Sequence, residues 1–340
     1  MQLYKTNLKE TSNTSWIKIV SKYNHPDPLK SWWQFSSTLL LYAVAWFLMV
    51  ESLSVSYWIT LGLTIPSAGI LVRLFIIHHD CGHGSYFKSG KLRDIMGIFI
   101  GVLTFTPYYS WHYNHQIHHE TAGNLDKRGV GDIWTLTVDE YEKSSKWQRI
   151  VYRFYRNPVT MFGIGTLYMF LINNRFTKKT MNQKGRLGIY LTNAGLLAFF
   201  VLMSMLIGFK AFVLIQLPVI YFAAIMGFWL FYIQHQFDPS YWSHDQTWEY
   251  NTVALQGSSY YKLPGILRWF TGNIGFHHIH HLSPLIPNYN LRRCHRENVL
   301  FHDIKPLTFL ASFRSLTFRL WNETTHEMIS FRRMQRFRTS

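Results

Sequence analysis

The sequence predicts an all-α integral membrane protein: four transmembrane helices in two hairpins, further interfacial or re-entrant helices, and a cytoplasmic helical cap. Three observations support this fold class. Long apolar stretches contain almost no charge, and the charged residues concentrate between them. The apolar stretches come in pairs that are separated by only a few polar residues. Histidines cluster just beyond the ends of the stretches. We expect a single membrane domain over residues 1–340.

Four of the apolar stretches are long enough to cross a bilayer. A transmembrane helix needs about 20 mainly apolar residues, and the predicted spans cover about 31–50, 57–77, 188–209 and 211–234. One such stretch could be a buried helix of a soluble protein, but four in one chain favour a membrane protein. The pairing of the stretches predicts two transmembrane hairpins.

The formal charge of +16 points to a membrane rather than to nucleic acid. No binding motif with interleaved aromatic residues accompanies the charge. Lys and Arg lie between the spans, where the positive-inside rule places cytoplasmic segments. We therefore predict no nucleic-acid partner, a multi-pass protein of the plasma membrane, and two cytoplasmic termini. The first span is interpreted as an uncleaved anchor because the residues before it are polar and contain Lys5, Lys9, Lys18, Lys22 and Lys30.

Two shorter apolar segments, about 95–111 and 158–174, are at the lower limit for a span. If 95–111 crossed the membrane, the histidine clusters before and after it would face opposite sides. The segment at 158–174 lies between the second cluster and His235, and if it crossed the membrane these histidines would likewise face opposite sides. If the clusters form one site, both segments are interfacial or re-entrant, and the cap comprises 78–187 and 235–340.

Three histidine clusters have helical spacing: "HHDCGHGS" at 78–85, "HYNHQIHH" at 112–119 and "FHHIHH" at 276–281. Residues three and four apart share one face of a helix, so each cluster is predicted to direct its imidazoles one way. A lone histidine at a helix end is more often interfacial, but three spaced clusters indicate a metal. Imidazole suits Zn, Cu, Fe and Ni. The candidate ligands by spacing are His79, His83, His115, His118, His119, His277, His280 and His281.

The number of histidines predicts two metal ions. A tetrahedral zinc uses three or four protein ligands, which is fewer than the eight available. His235 ends the last predicted span and is a ninth candidate by position. The out-of-phase residues His78, His112 and His278 are predicted not to be ligands. Some nearby polar side chains could accept an imidazole N–H and orient the ring; the candidates are Asp80, Glu120, Asn124, Asp126 and Asp132.

Cysteine supplies neither ligands nor cross-links in this interpretation. Cys81 and Cys294 are far apart in the sequence. Two isolated cysteines give no disulfide framework and no cysteine-based zinc spacing.

With these clusters in this order, the chain resembles the membrane fatty acid desaturase family, whose three histidine boxes read HxxxH, HxxHH and HxxHH. The resemblance extends from about residue 35 to residue 290 and includes the phrases "FIIHHDCGH", "NLDKRGVGDIW", "YRNPVTMF", "LQGSSYYKLP" and "TGNIGFHHIHHLSP". Within the family these phrases are most similar to the acyl-lipid Δ5 branch of bacilli. The resemblance implies two iron ions, O₂ as cosubstrate, the acyl chain of a membrane phospholipid as substrate, and a cis double bond at Δ5. It also implies ligand roles for the eight box histidines and matches His235 to an additional family histidine.

The electron donor is expected to be a separate protein. Some relatives contain a fused cytochrome b5 domain with an HPGG motif, whereas this chain has only "HPDP" at 25–28. An acidic ferredoxin or flavodoxin would suit a basic cytoplasmic face, because complementary charge speeds encounter.

Removing hydrogen from an unactivated methylene is beyond acid–base side chains, so the metal must supply the oxidant and the protein must position the substrate. No catalytic residue beyond the metal ligands is predicted. A lipid or alkane hydroxylase, or a carotenoid oxygenase, remains an alternative because it would use the same oxidant. An alternative of another class is a membrane metal transporter or sensor. That alternative predicts ligands near the middle of the membrane, whereas these lie at span ends.

Overall fold

The computed structural model describes residues 13–339, so Lys5 and Lys9 lie outside the described residues. The fold is predominantly helical, which confirms the predicted fold class. In chain order the α-helices are α1 (Asn13–Ser21), α2 (Pro28–Ser52), α3 (Tyr57–His83), α4 (Gly90–Leu103), α5 (Tyr108–Thr121), α6 (Val138–Lys143), α7 (Lys146–Tyr155), α8 (Gln183–Ile207), α9 (Phe209–His235), α10 (Tyr250–Gln256), α11 (Gly265–Phe270), α12 (His277–Leu282), α13 (Asn288–Glu297), α14 (Phe309–Ser312) and α15 (Phe331–Thr339).

Short strands and non-α turns complete the described chain. The strands are β1 (Leu136–Thr137), β2 (Tyr260–Lys262), β3 (Pro306–Thr308), β4 (Leu320–Asn322) and β5 (Glu327–Ile329). Two π-helical segments cover Val159–Gly165 and Tyr168–Ile172. Single 3₁₀ turns cover Asn173–Arg175, Asp245–Thr247, Val299–Phe301 and Phe313–Thr317.

Four of the helices, α2, α3, α8 and α9, are long and apolar enough to cross a membrane. Capping residues in the local sequence mark where these helices begin and end. The Asp27 carboxylate caps the first turn of α2, with a proline at the next position. The Ser56 hydroxyl caps α3, which ends at Gly84 in a left-handed conformation. Gly208, with a φ of 85°, joins α8 to α9 directly. These signals give the two predicted hairpins.

Helices α3 and α9 extend beyond the apolar part of a bilayer. Each has 27 residues, or about 40 Å of helix, whereas the hydrocarbon core is about 30 Å thick. Each helix is therefore about 10 Å longer than the apolar layer. His79, His83 and His235 lie in the last turns of these two helices.

The segment predicted at 95–111 is a helical hairpin rather than a single interfacial helix. Helices α4 and α5 meet at a turn over Thr104–Pro107. The side chain of Val102, at the end of α4, packs against Gly195 in the middle of α8. Tyr108 then donates a hydrogen bond from its hydroxyl to the Cys81 carbonyl (2.9 Å). The pair enters beside α8 and returns to the end of α3, as a re-entrant segment would.

The segment predicted at 158–174 is a continuous helical run, mostly of π type, that extends from residue 158 to residue 175. Its two π-helical pieces pack against α9, where Phe162 lies 5.6 Å from Trp229 between ring centroids. Among the described residues, neither this segment nor the α4–α5 hairpin is one of the four candidate spans.

The cap contains two small sheets that the sequence did not predict. β4 pairs in parallel with β1 and antiparallel with β5, and β2 pairs in parallel with β3. Buried Arg156 joins the residue after α9 to the segment before β4, because its guanidinium donates to the Gln236 side chain (2.8 Å) and to the Phe318 carbonyl (3.0 Å). The C-terminal third of the chain is thus anchored to the residues that follow α9.

Both ends of the described chain pack against the cap. Near the N-terminus, the Tyr23 hydroxyl donates to the Glu297 carboxylate (2.8 Å) at the end of α13. Near the C-terminus, Phe331 at the start of α15 packs against Tyr141, with ring centroids 5.3 Å apart. Both ends therefore approach from the side of the spans on which the histidines lie.

Candidate metal centre

All nine histidines predicted as ligands converge in two adjacent groups. In each group one ring nitrogen per residue lies within 4.8 Å of every other. Site A contains His79, His83, His115, His119 and His280. Site B contains His118, His235, His277 and His281. The stacked rings of His119 and His281, with centroids 4.1 Å apart, join the two sites.

The nitrogen atoms within each site have the spacing of ligands to one ion. In site A, the Nε2 atom of His119 is 3.1 Å from those of His115 and His280. In site B, the Nε2 atom of His235 is 3.0 Å from that of His118 and 3.1 Å from that of His277. Metal–nitrogen bonds of about 2.0–2.1 Å with ordinary coordination angles separate ligand nitrogens by about 3.0–3.4 Å. The side chains therefore fit a metal in each site.

Unpartnered nitrogens and the lowered pKa values of several rings support the same fit. The Nε2 atoms of His83 and His281 are buried and have no hydrogen-bond partner among the described residues. Buried polar atoms without partners are uncommon in folded proteins and call for a specific explanation. Burial, followed by the neighbouring imidazoles, holds the pKa of His115, His119 and His281 well below the usual histidine value. These rings are neutral at pH 7, as metal ligands must be.

The HxxHH clusters divide between the two sites, contrary to the prediction that each cluster points one way. His115 and His119 belong to site A, whereas His118 belongs to site B. In the third cluster His277 and His281 belong to site B, whereas His280 belongs to site A. Successive helical residues are about 100° apart, so the adjacent pair that ends each cluster must diverge. The first and fifth residues, only about 40° apart, stay together.

Each site has one carboxylate that orients one of its histidines. His79 donates from Nδ1 to Asp80 (3.0 Å), and His118 donates from Nδ1 to Asp132 (2.6 Å). Asp80 also accepts two hydrogen bonds from Asn288, one from the backbone N–H (2.7 Å) and one from the side chain (2.8 Å). A carboxylate on Nδ1 leaves Nε2 free to bind metal and raises its basicity.

Gly131 allows Asp132 to approach site B. Its φ of 74° lies in the left-handed region. A Cβ at this position would lie 2.9 Å from the Asn114 carbonyl oxygen and 3.0 Å from the Cβ of His118. Glycine is therefore required both by the backbone conformation and by the close packing against α5.

The other candidates in these clusters have different contacts. His78 bonds the Gly97 carbonyl through Nδ1 (2.9 Å), and buried His278 packs against Tyr260 and Phe301. His78, His112 and His278 belong to neither site. Of the five polar residues considered as orienting groups, three bond elsewhere: Glu120 to Gln116, Asn124 to Asp245, and Asp126 to His244.

A cavity of about 380 Å³ leads from the spans to both sites. Its metal-side wall includes His79 and His115 of site A and His277 of site B. Most of its other lining residues are apolar or aromatic and come from α3, the π-helical segments and α9; they include Phe75, Met169, Phe170, Ala223, Gly227 and Phe231. The shape and the apolar lining suit an alkyl chain.

Sequence reasoning missed three residues that shape the site. Trp111 stacks on the His115 ring at a centroid distance of 4.5 Å and an angle of 19°. Asn288 holds Asp80, and the Gln34 side chain donates in turn to the Asn288 amide oxygen (2.8 Å). Trp111 directly precedes the second cluster, and its place one turn before His115 was a usable signal. No sequence signal connects Gln34 and Asn288 to Asp80, because they are distant in the chain.

The two cysteines are buried free thiols, which confirms that neither forms a disulfide. Neither belongs to site A or site B. Burial raises the pKa of the Cys294 thiol to about 12, so it stays protonated and unreactive at neutral pH.

Four apolar spans and two adjacent all-histidine sites at the end of an apolar cavity define an integral membrane protein with a centre able to bind two metal ions. The model of the fatty acid desaturase family matches residues 55–304. The chain belongs to that family and is a desaturase, an oxidoreductase. It is 46% identical over 315 residues to a fatty acid desaturase of Bacillus subtilis (strain 168). The aligned region covers 93% of this chain and 90% of that relative.

More distant relatives are named for lipid-linked substrates. The chain is 29% identical to an sn-1 acyl-lipid omega-3 desaturase (ferredoxin) of Synechocystis, over 65% of this chain and 62% of that protein. It is 26% identical to an sn-1 oleoyl-lipid 12-desaturase of Picosynechococcus, over 79% of this chain and 76% of that protein.

Proposed function

We propose that the protein introduces a cis double bond, at Δ5, into the acyl chains of membrane phospholipids, using O₂ and two histidine-bound iron ions. The observation that carries this proposal is the convergence of Nε2 atoms at 3.0–3.1 Å in two sites beside one apolar cavity. Neutral nitrogen ligands are suited to iron, although zinc binds similar sites.

The ligands of site A would be His79, His83, His115, His119 and His280, and those of site B would be His118, His235, His277 and His281. When bound, iron would supply the oxidising power that removes hydrogen from a methylene. The net change is balanced by one O₂, two electrons and two protons, which yield the alkene and two molecules of water. Asp80 and Asp132 hold two of the rings in the tautomer that leaves Nε2 free. The apolar lining of the cavity would disfavour water beside the reacting carbons.

The position of the double bond would follow from how far the acyl chain enters the cavity. An alkyl chain offers only shape and apolar contact for recognition, so regioselectivity requires an anchored end and a fixed depth. The resemblance of the sequence to acyl-lipid Δ5 enzymes supports Δ5.

Expression in a host without desaturases tests the reaction, with mass spectrometry to locate double bonds in the total fatty acids. We expect cis-Δ5 monounsaturated chains esterified in phospholipids. Hydroxylated chains would instead support the hydroxylase alternative, and a double bond at another position would refute Δ5. Saturated chains only, from cells that contain the metal-loaded protein, would refute desaturation.

We also propose that a separate ferredoxin-type carrier supplies the electrons. Several relatives have ferredoxin in their names. The net charge of +16 suits an acidic carrier, because opposite charge speeds encounter. Reduction of the metal centre by a reduced bacterial ferredoxin should slow steeply as salt rises from about 50 to 500 mM. A salt-independent rate would exclude electrostatic docking of this kind.

The protein is proposed to lie in the plasma membrane with both termini and the metal centre in the cytoplasm. Ser54 lies in the short link between α2 and α3, and Lys143 ends α6 in the cap; both are exposed. In intact cells, an impermeant thiol reagent should label Ser54→Cys but not Lys143→Cys. Background labelling should be low, because the native cysteines are buried. Labelling of Lys143→Cys from outside would invert the topology.

A further inference from the structure

Arg175 lies against the apolar interior, next to the cavity that leads to the metal sites. Arg175 ends the 3₁₀ turn Asn173–Arg175 and is only partly exposed. Its Nη1 donates to the Asn193 side-chain oxygen (3.0 Å), and the Asn193 amide donates back to the Arg175 carbonyl (2.9 Å). Asn193 lies ten residues into α8, or about 15 Å along that helix. The guanidinium is therefore about 15 Å along α8 from the first residue of that helix.

The positive charge of Arg175 has no counter-ion among the described residues. Its hydrogen-bond partners are neutral: the Asn193 amide and the Phe105 carbonyl, which accepts from Nη2 (2.6 Å). No carboxylate within the described chain forms a salt bridge with it. Burial alone lowers the pKa of Arg175, to about 10, so the group stays charged at neutral pH. A partly buried charge without a partner is costly and is typical of a functional site in a membrane protein.

Much of the hydrogen-bonding capacity of Arg175 is unused. A guanidinium has five N–H donors in a planar fork, whereas the structure assigns partners to two. Its Nε is buried and has no hydrogen-bond partner among the described residues. An acceptor with a negative charge and several oxygen atoms would satisfy both the charge and the remaining donors.

A second cavity opens at this guanidinium. It has a volume of about 390 Å³ and is lined by Arg175, Asn193 and the apolar side chains of Phe105, Leu171, Leu196 and Phe200. Asn173 and Asn174, which directly precede Arg175, line the cavity that leads to the metal sites. The 104–107 turn contributes to both cavities, since Phe105 lines one and Thr104 and Thr106 line the other. The arginine therefore lies between the second cavity and the residues that line the metal-side cavity.

We propose that Arg175 and Asn193 bind the phosphate of the phospholipid whose acyl chain enters the metal-side cavity. This inference rests on the proposed function and adds the group that anchors the substrate. Arginine binds phosphate oxygens in a bidentate manner and is weakly hydrated, which suits an apolar surrounding. The apolar walls favour a phosphate ester with acyl chains over a free phosphate. Anchoring at this point converts the position of the double bond into a distance along the acyl chain.

Lipid binding by the purified protein tests the proposal without any need for turnover. The detergent-solubilised protein is offered equal amounts of dipalmitoyl phosphatidylglycerol and dipalmitoylglycerol, and native mass spectrometry measures the ratio retained. These lipids differ by the phosphoglycerol group alone. We expect the wild type to prefer phosphatidylglycerol and Arg175→Gln to lower the ratio about tenfold, the effect of one charge-assisted contact. Arg175→Lys should restore the preference only in part, since it keeps the charge but loses the planar fork.

Arg186 provides the matched control. It is exposed near the start of α8 and donates to the backbone carbonyls of Met181 and Lys179, away from the second cavity. Arg186→Gln removes one positive charge and should leave the lipid ratio unchanged. An equal fall in Arg186→Gln would indicate general surface attraction and overturn the proposal. So would an unchanged ratio in Arg175→Gln, which would indicate that Arg175 only supports the 104–107 turn.

A cavity-filling variant keeps the test valid if Arg175→Gln does not fold. Leu171→Trp adds volume to the wall of the second cavity and leaves the Arg175 side chain in place. It should also reduce the retention of phosphatidylglycerol, and a wild-type ratio in this variant would contradict the proposal. Displacement of the lipid by excess inorganic phosphate would assign the site to free phosphate instead. If the wild type forms Δ5 products and Arg175→Gln retains lipid like the wild type, only the anchor is refuted. If the wild type retains the lipid as expected but forms no Δ5 products, only the reaction is refuted.

Discussion

Sites A and B contain the same chemical groups but are assembled differently. Site A has two i, i+4 pairs, one at the end of α3 and one in α5, together with a single residue of α12. Site B has one such pair, in α12, and takes its remaining two histidines singly from α5 and α9. Site B is completely buried, whereas His83 and His115 of site A are partly exposed.

Helical spacing therefore places most of the ligands of site A next to each other, whereas site B depends more on packing between distant helices. Two residues one turn apart remain neighbours whenever the helix forms. His118 and His235 are neighbours only because α5 packs near the end of α9. Site A also has a fifth histidine, so the two sites should respond differently to the loss of one ligand.

The largest expected difference is in metal content after removal of one ligand. His83→Ala leaves four histidines in site A, whereas His235→Ala leaves three in site B. We expect close to two metal ions per chain in His83→Ala and close to one in His235→Ala. Desaturation should fall more than about 100-fold in both variants, because even residues that only orient ligands change activity by about 10–100-fold. Metal analysis of the purified protein should count iron and zinc together, because zinc can replace iron.

His112→Ala is the matched control for these variants. His112 lies in the second cluster but belongs to neither site, so its removal should preserve both metals and most of the activity. Equal metal loss in His83→Ala and His235→Ala would contradict the proposed difference between the sites. Full activity with two metals in His235→Ala would make this residue an interfacial histidine.

A smaller difference is expected between the two orienting carboxylates. Among the described residues the Asp132 carboxylate accepts a hydrogen bond from His118, whereas the Asp80 carboxylate accepts one from His79 and two from Asn288. Asp132→Asn should lower desaturation by about 10–100-fold, because an amide can present an N–H to the ring and favour the wrong tautomer. Asp80→Asn should lower it similarly and also destabilise the fold by about 1–3 kcal/mol, since buried donors lose a charged acceptor.

Activity and thermal unfolding, measured together, separate the two effects. Asp132→Asn should unfold close to the wild-type temperature, and Asp80→Asn should unfold earlier. If Asp132→Asn retained full activity, the orienting role of this carboxylate would be wrong. If both variants unfolded alike, the contacts of Asn288 would not add stability to site A.

The smallest effect concerns an exposed contact in the loop that follows His235. His244 bonds Asp126 (2.8 Å) and Glu323 (2.9 Å), and hydrogen bonds to these carboxylates raise its pKa above 6.5. A raised pKa means that the folded state favours the protonated ring. The stabilisation is therefore complete below about pH 6.5 and is lost as the pH rises through the raised value.

His244→Gln removes this contribution. The wild type should unfold at most about 2 °C higher than the variant near pH 6, because exposed ion pairs contribute little. The difference should shrink toward pH 8, while the metal content stays the same. A difference that grew with pH would contradict the sign, and metal loss would mean that site B depends on this outer contact.

Local periodicity and composition were enough to predict the spans and the candidate histidines. Apolar length gave four spans, and the caps at Asp27, Ser56 and Gly208 are local signals. Spacing identified the candidate histidines and excluded His78, His112 and His278 from the set that the structure brings together. Among the described residues the segments at 95–111 and 158–174 are not among the candidate spans, and the parity argument that keeps them from crossing stays a prediction.

The division of those histidines between two sites depends on tertiary packing and could not be predicted from the sequence. Helical spacing gives the angle between neighbours, but not which neighbour faces which partner helix. Asp80 and Asn288 are 208 residues apart in the chain, and Arg175 reaches Phe105 across 70 residues. Such pairs leave no periodic signal, because each depends on packing among distant helices. The anchor proposed at Arg175 is for the same reason visible only in the folded chain.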